Sequence, residues 1–488
     1  MKKFNILLAI LCIITLSSCD DFLDKKPTNS GDSNSAIKTE RDAQIMMNGV
    51  MDGMRSSTYL GRNMFLYADA KGGDLTIAAQ GRGNDALYSF NHSVNTSTYS
   101  GFWTLGYNLI LQLNSIIATI DELKATGTEE YFDTVLGQAY TLRAMLYFDL
   151  VRLYGKPYNY DKSAWGVPDV TTVLDASARE LRATVEQNYK TIISDLETGA
   201  TLLQNDKDPI KGNVNYYANK VLQARVYLAM DNFDAALTAA EEVINDEVYE
   251  LYSNSKWVES WSKQYGSESI FEIPMLDTEN DLGSGSLGGY YARYKDYGTA
   301  LGYFIASDYF LDRLGEDPDD IRWGVMTYDE LSETRMGCCY KYLGGVGKPG
   351  DGKSSASAVN VKVMRLSEVY LIAAEAALRK STPDKGKSVG YLNEIRKRSP
   401  NLAPATEGTV TLDMILDEKS KELYGEGHRF WDMIRCNKSI TFNDEIVGIT
   451  LTHREKTIDR TFYKTILPIF RGEILANPAI GDQQNPGY

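Results

Sequence analysis

Residues 361–380 read VKVMRLSEVYLIAAEAALRK, residues 381–399 STPDKGKSVGYLNEIRKRS, and residues 411–437 TLDMILDEKSKELYGEGHRFWDMIRCN. Leu366, Val369, Tyr370, Ala373 and Ala377 fall three or four positions apart, which is one face of an α-helix. Ala373, Ala374, Ala376 and Ala377 keep that helix thin, so a second helix can pack close against it. The second helix has its own start signal, with Thr382 able to cap and Pro383 at the first helical position, where its missing N–H costs nothing. Leu392 and Ile395 supply its apolar edge. The pair has the length of a tetratricopeptide unit, roughly 34 residues. A third helix is predicted from Thr411, with Leu412, Ile415, Leu416 and Leu423 inward, and Gly425 and Gly427 end it.

The same pattern recurs upstream. Periodicity predicts helices over 37–57, 102–123, 129–153, 178–203, 216–230 and 233–244, the last two forming a hairpin with small residues (Ala218, Ala224, Ala235, Ala236, Ala239) at the contact. Residues 58–97 are rich in Gly, Asn and polar side chains and read as surface loops. Over 251–360 helical periodicity fades and Gly, Ser, Asp and aromatics dominate, with a strand expected at 270–275 and a short helix at 307–314. The fold class is therefore mostly α: degenerate tetratricopeptide-like helical hairpins forming a scaffold over about 37–57, 102–247 and 361–437. An irregular, loop-rich region carrying short strands occupies about 251–360. Residues 37–488 are read as one domain.

The first 18 residues are an address. Lys2-Lys3, an apolar run from Phe4 to Leu16 and the sequence Leu16-Ser17-Ser18-Cys19 make a lipoprotein signal peptide that leaves Cys19 as a lipidated N-terminus. Residues 19–36 are polar and read as a lipidated tether. Of the other cysteines, the adjacent Cys338 and Cys339 could close a strained disulfide in an oxidising compartment or stand as two free, partly buried thiols, the preferred reading, and no spacing suits a zinc site. The chain has 488 residues, 43% hydrophobic content and a net charge of −15, which excludes nucleic acid as a partner.

Several motifs carry a resemblance. Arg365, Glu368-Val-Tyr370-Leu371-Ile372-Ala-Ala374-Glu375-Ala376, Leu392-Asn393-Glu-Ile395-Arg396-Lys-Arg398, and the run from Glu418 through Glu422, Glu426-Gly427-His-Arg429 and Asp432 to Arg435 resemble the C-terminal half of the SusD-like (SusD/RagB) outer-membrane nutrient-binding lipoproteins. Lys419 stands where that family usually has Arg. The opening CDDFLDKKP, the block from Leu142-Arg143-Ala144 to Tyr154-Gly155, and the ending at Gln484-Asn485-Pro486 extend the likeness over the chain. The resemblance implies a surface lipoprotein of the outer membrane that binds oligosaccharide or polysaccharide without altering it. It would deliver that ligand to a SusC-like TonB-dependent β-barrel transporter, acting as the lid of the barrel. No cofactor is implied.

Other chemistry was weighed against this. Gly347 to Ser354 spells a Walker A pattern, but no helix opens after it, and Gly283 to Gly288 spells a dinucleotide pattern outside any βαβ unit. Glu418, Glu422, Glu426, His428 and Asp432 could suggest a glycoside hydrolase, yet Lys419, Lys421, Arg429 and Arg435 interleave them, as in a structural ion-pair network. Three readings stay open: a glycan-binding lid, the same lid for a non-sugar nutrient such as peptide, and a hydrolase. Sugar rings stack on aromatic faces while Asn, Asp and Arg bind hydroxyls. The ligand candidates are therefore Tyr290, Tyr291, Arg293, Tyr294, Tyr297, Tyr303, Trp323 and Tyr328 in the irregular region, with Tyr67, Asp69 and Trp103 as a weaker set.

Overall fold

The computed structural model describes residues 37–78, 85–95, 99–209, 212–275, 285–292, 301–342, 359–446, 448 and 453–488. Apart from single-turn helices at Asp85–Tyr88 and Tyr158–Asp161, the described chain opens with α1 (Glu40–Met54), α2 (Asn63–Lys71), α3 (Ser100–Ala125) and α4 (Asp133–Tyr154). Next come α5 (Val185–Leu203), α6 (Tyr216–Ala229) and α7 (Phe233–Asn245). Each helix from α3 to α7 packs on the next, and α7 then packs on α10 (Leu366–Arg379), with α8 (Leu287–Tyr291) and α9 (Asp308–Leu314) lying in the irregular region between. Helix α10 packs on α11 (Lys385–Arg396) and α12 (Leu412–Glu422), and α13 (Arg429–Arg435) follows. The scaffold is thus continuous in space although α7 ends at Asn245 and α10 starts at Leu366.

Local chemistry sets the helix starts. Thr39 and Asp42 form a reciprocal capping box on α1, and Thr184, Asn215 and Asn232 cap α5, α6 and α7 through their side-chain oxygens. At α11 the cap is Asp384, whose carboxylate accepts the Lys387 N–H at 2.9 Å. Thr382 does not cap, and Pro383 lies just outside the helix, because the acid one residue on reaches the open N–H groups. The expected helix over 178–203 starts later, at Val185. Arg182–Thr184 instead pairs as a strand with Trp165–Pro168, held by the buried Arg182 guanidinium on the Gly166 and Tyr154 carbonyls. Asn485 of the C-terminal motif bonds the same Arg182 and the Tyr154 and Leu467 carbonyls, which seats the chain end. Arg143 of the Leu-Arg-Ala block forks onto Asp195 at 2.7 Å twice and reaches Asn114, tying α4 to α5 and α3.

The stretch 58–97 is not surface loop. It contains α2, buried from Met64 to Lys71, and the strand β1 (Leu75–Ile77). A helix buried on every side carries no amphipathic stripe, so periodicity does not reveal it. Five more strands complete the irregular region: β2 (Ser269–Ile273), β3 (Phe304–Ala306), β4 (Met326–Thr327), β5 (Cys338–Cys339) and β6 (Val361–Arg365). Strand β1 pairs with β3, β4 with β5, and β2 with β6, all antiparallel. The last pair joins the two ends of the irregular region, with Ile273 opposite Val361. Cys338 and Cys339 are buried and not joined by a disulfide. The Walker-like stretch 347–354 and residues 1–36, including Cys19, lie outside the described residues, as does Gly283 of the dinucleotide-like pattern.

Candidate functional site

Two arrangements of side chains compete for attention, and their physics differs. The first is the charged cluster predicted at 418–432. Arg365, at the end of β6, donates Nε and Nη2 to the two oxygens of Glu426 at 2.7 Å each. Its Nη1 reaches Glu268 at 3.0 Å and Glu422 at 3.2 Å. Lys341 joins Glu426 at 2.7 Å, Arg398 joins Glu268 at 2.9 Å, and Trp257 donates its indole N–H to Glu422. Arg322 bridges Asp320 and Glu418, each at 2.7 Å. Glu418 and Glu422 are 0% exposed and Glu426 is 4% exposed. Burial opposes ionisation of Glu422 and Glu426, but the surrounding guanidinium and ammonium groups hold both below the usual carboxylate range. Glu422 and Glu426 are thus held as ion-paired carboxylates, with no raised pKa for acid catalysis. The cluster is a structural hub joining β6, α12, α11 and the irregular region.

The second arrangement is aromatic. Ser286 caps the short helix α8 by accepting the Gly289 N–H at 3.0 Å, and the Gly289 carbonyl accepts the Leu301 N–H at 2.7 Å. The helix so fastened presents Tyr290, half-buried, with its ring 4.9 Å from that of Tyr303 at an angle of 57°. The Arg62 guanidinium lies 4.5 Å from the Tyr290 ring centroid and is oriented by the Gly285 carbonyl at 2.7 Å and the Asn63 side chain at 2.9 Å. Two tyrosine rings and a positioned guanidinium supply a stacking surface beside hydrogen-bond donors.

The other candidate residues fall into three groups. Tyr291, next to Tyr290, points inward, is 1% exposed and donates its hydroxyl to Asp69 at 2.7 Å. Asp69 is itself buried and also accepts the Gly427 N–H at 3.0 Å. Burial pushes the Asp69 carboxyl up to about 8. Gly427 needs to be glycine, because its φ is +78° and a Cβ there would sit 2.8 Å from the Phe65 backbone. Tyr67 is packed among Tyr99, Phe102, Phe430 and Trp431, and Trp103 against Tyr107 and Tyr154. These four side chains are held in the core by aromatic packing and buried hydrogen bonds. Trp323 is half-buried in a 3-10 turn (Ile321–Val325), its N–H on the Asp317 carbonyl at 3.3 Å, and Tyr328 is 52% exposed beyond β4. Among the described residues neither makes a ring contact with Tyr290. Arg293, Tyr294 and Tyr297 lie outside the described residues. Arg62 was not legible as a site residue, since it sits in a stretch read as loop and no local motif marks it.

Comparison with known proteins agrees with both the scaffold and the motifs. Residues 321–488 match the model of the SusD family, and residues 21–228 match a family model described as starch-binding associating with outer membrane. The fold superposes on a SusD superfamily protein from Bacteroides vulgatus with a TM-score of 0.82 and 32% identity, covering 93% of this chain and 100% of the other. SusD-like protein P38 of Formosa agariphila is 24% identical over the whole of both chains. The starch-binding protein SusD of Bacteroides thetaiotaomicron is 37% identical over 89 residues, 17% of this chain and 15% of that one. The chain belongs to the SusD family.

Proposed function

We propose that this protein binds an oligosaccharide or polysaccharide and passes it uncut to a SusC-like TonB-dependent β-barrel transporter, for which it serves as the lid. The observation that carries the reading is the group Arg62, Tyr290 and Tyr303, partly open and set on a fastened turn outside the helical repeats. Tyrosine faces accept the C–H side of a sugar ring, and a guanidinium already oriented over one ring can bond hydroxyls at little entropic cost. Tyr294, Tyr297, Arg293, Trp323 and Tyr328 are the further contacts in this reading. The starch-binding description of one matching family model, and of the relative from Bacteroides thetaiotaomicron, supports a glycan as cargo. The burial of Glu418, Glu422 and Glu426 against paired cations supports binding without hydrolysis. The protein is held at the outer membrane through acyl chains on Cys19, with 19–36 as its tether, and faces outward.

The test is calorimetric titration of the full chain in detergent against plant, microbial and host glycans, with product analysis on the same samples. Saturable binding with no product, weakened at least tenfold by Tyr290→Ala in a folded protein, is the expected result. Turnover of a glycan would overturn the lid reading. Silence across the panel would move the cargo to a non-sugar nutrient.

A further inference from the structure

A second site lies away from the tyrosines. A cavity enclosing about 1070 Å3, its open mouth included, runs between α4, α6, α10 and the turn into α13. Arg62, Tyr290 and Tyr303 take no part in its wall.

The carboxylates in this wall are occupied. Both oxygens of Glu368 accept from Arg225, at 2.6 Å each. One oxygen of Asp149 accepts the Tyr59 hydroxyl and the other accepts Arg152. Asp432 accepts Lys419 at 2.8 Å and Arg435 on the same oxygen. The donors are not used up. Arg152 lies over the rings of Phe148 and Trp431, 4.2 and 4.8 Å from their centroids, and its bond to Asp149 uses only Nη2, leaving Nε buried without a partner. Arg225 spends Nε and Nη2 on Glu368 and the Val363 carbonyl, and among the described residues makes no bond through Nη1. His428 stands 3.7 Å from Glu368, too far for a hydrogen bond. Burial, against the pull of Glu368, pushes its imidazole down to about 4, so it offers a neutral donor and acceptor at neutral pH.

A wall whose carboxylates are each paired with a cation while guanidinium N–H groups are left over suits a ligand that brings its own acceptor oxygens and negative charge. We propose that this cavity binds a small molecule of sugar size or less bearing a carboxylate or sulfate, held by Arg152 and Arg225 with His428 as a neutral hydrogen-bond partner. An acidic sugar and a free anion share this chemistry. The inference does not rest on the glycan reading of the tyrosines.

The experiment is titration of the full chain in detergent with glucuronate, inorganic sulfate and glucose, followed by calorimetry. Saturable binding of an anion, with glucose at least tenfold weaker, is the expected result. Glucuronate binding tenfold tighter than sulfate supports the proposal and assigns an acidic sugar. Comparable binding of the two supports it and assigns a free anion. Arg152→Lys, which keeps the charge beside Asp149 but removes the planar fork, is expected to weaken binding at least tenfold. Ala229→Phe fills the cavity without touching a charge and decides the matter should the arginine variant fail to fold. Tyr290→Ala is expected to leave anion binding unchanged, which separates this site from the tyrosine group. Silence from all three probes, equal binding of glucose, or anion binding that survives Ala229→Phe in a folded protein would overturn the proposal.

Discussion

The helical scaffold and the irregular region hold together by different means. In the scaffold the helix contacts are mainly small and apolar, with a few buried pairs such as Arg143–Asp195 set among them. Ala218, Ala236, Ala240, Ala373 and Ala377 are all 0% exposed and let neighbouring helices approach closely. In the irregular region the strands are two to five residues long, and buried ion pairs tie them to the helices: Arg365, Arg322 and Arg398 with their glutamates, and Arg313 with the buried Asp74. Apolar packing tolerates gradual change because its energy is spread over many weak contacts. A buried charge network does not, because each ion is tolerable only while its partner stays.

The sharpest break in this comparison is Arg365→Met. It leaves Glu268, Glu422 and Glu426 short of their shared cation, and stability is expected to fall by about 3–5 kcal/mol in denaturant titration, as for other broken buried pairs. A loss below about 1 kcal/mol would mean that Lys341 and Arg398 suffice and that the hub is redundant. In the scaffold, Ala373→Leu overfills the contact of α10 with its neighbours. The expected cost is about 1–3 kcal/mol in the same measurement, smaller because the helices can shift apart slightly.

Asp69→Asn sharpens the comparison through pH. The folded carboxyl is raised to about 8 by burial, above its unfolded value, so its contribution is complete below pH 4 and is lost as pH rises toward 8. Wild type is therefore expected to lose up to about 1.4 kcal/mol per pH unit relative to the variant between pH 4 and 8. Parallel stability curves would show that Asp69 is ionised when folded. Glu375 behaves in the opposite sense. Its folded carboxyl is lowered to about 2 by Arg435 despite burial, so its stabilisation is present above about pH 4.5 and fades as pH falls toward 2. The smallest effect expected is that of Asn215→Ala, which removes the cap of α6. Roughly 1 kcal/mol should be lost, read as a lower melting temperature with ligand binding intact.

The two regions also differ in how legible they are. Helices α6, α7, α10 and α12 could be read because their apolar residues recur with the helical period, and α6, α7 and α12 also carry local side-chain caps. Helix α2 could not, since a fully buried helix has no polar face to mark its period. The ion-pair character of 418–435 was visible from interleaved charges, but Lys341, Arg398 and Glu268 come from other segments and only the fold brings them in. At the candidate site, composition pointed to the tyrosines yet could not separate neighbours. Consecutive helical side chains point in different directions, so Tyr290 stays partly open while Tyr291 is buried on Asp69. Arg62 lies more than two hundred positions from Tyr290, beyond the reach of any local pattern.

The pairing of β2 with β6 means that the chain comes back to where it left before α10 begins. An excursion closed at its base can gain or lose residues without displacing the frame that carries it, because lengthening a closed loop adds little entropic cost. Descendants of such a chain can lengthen or shorten the excursion between Ile273 and Val361 while inheriting the architecture, provided Arg322 and Lys341 keep their partners on the frame. Novelty in one part and conservatism in the rest then follow from a single short ladder of hydrogen bonds.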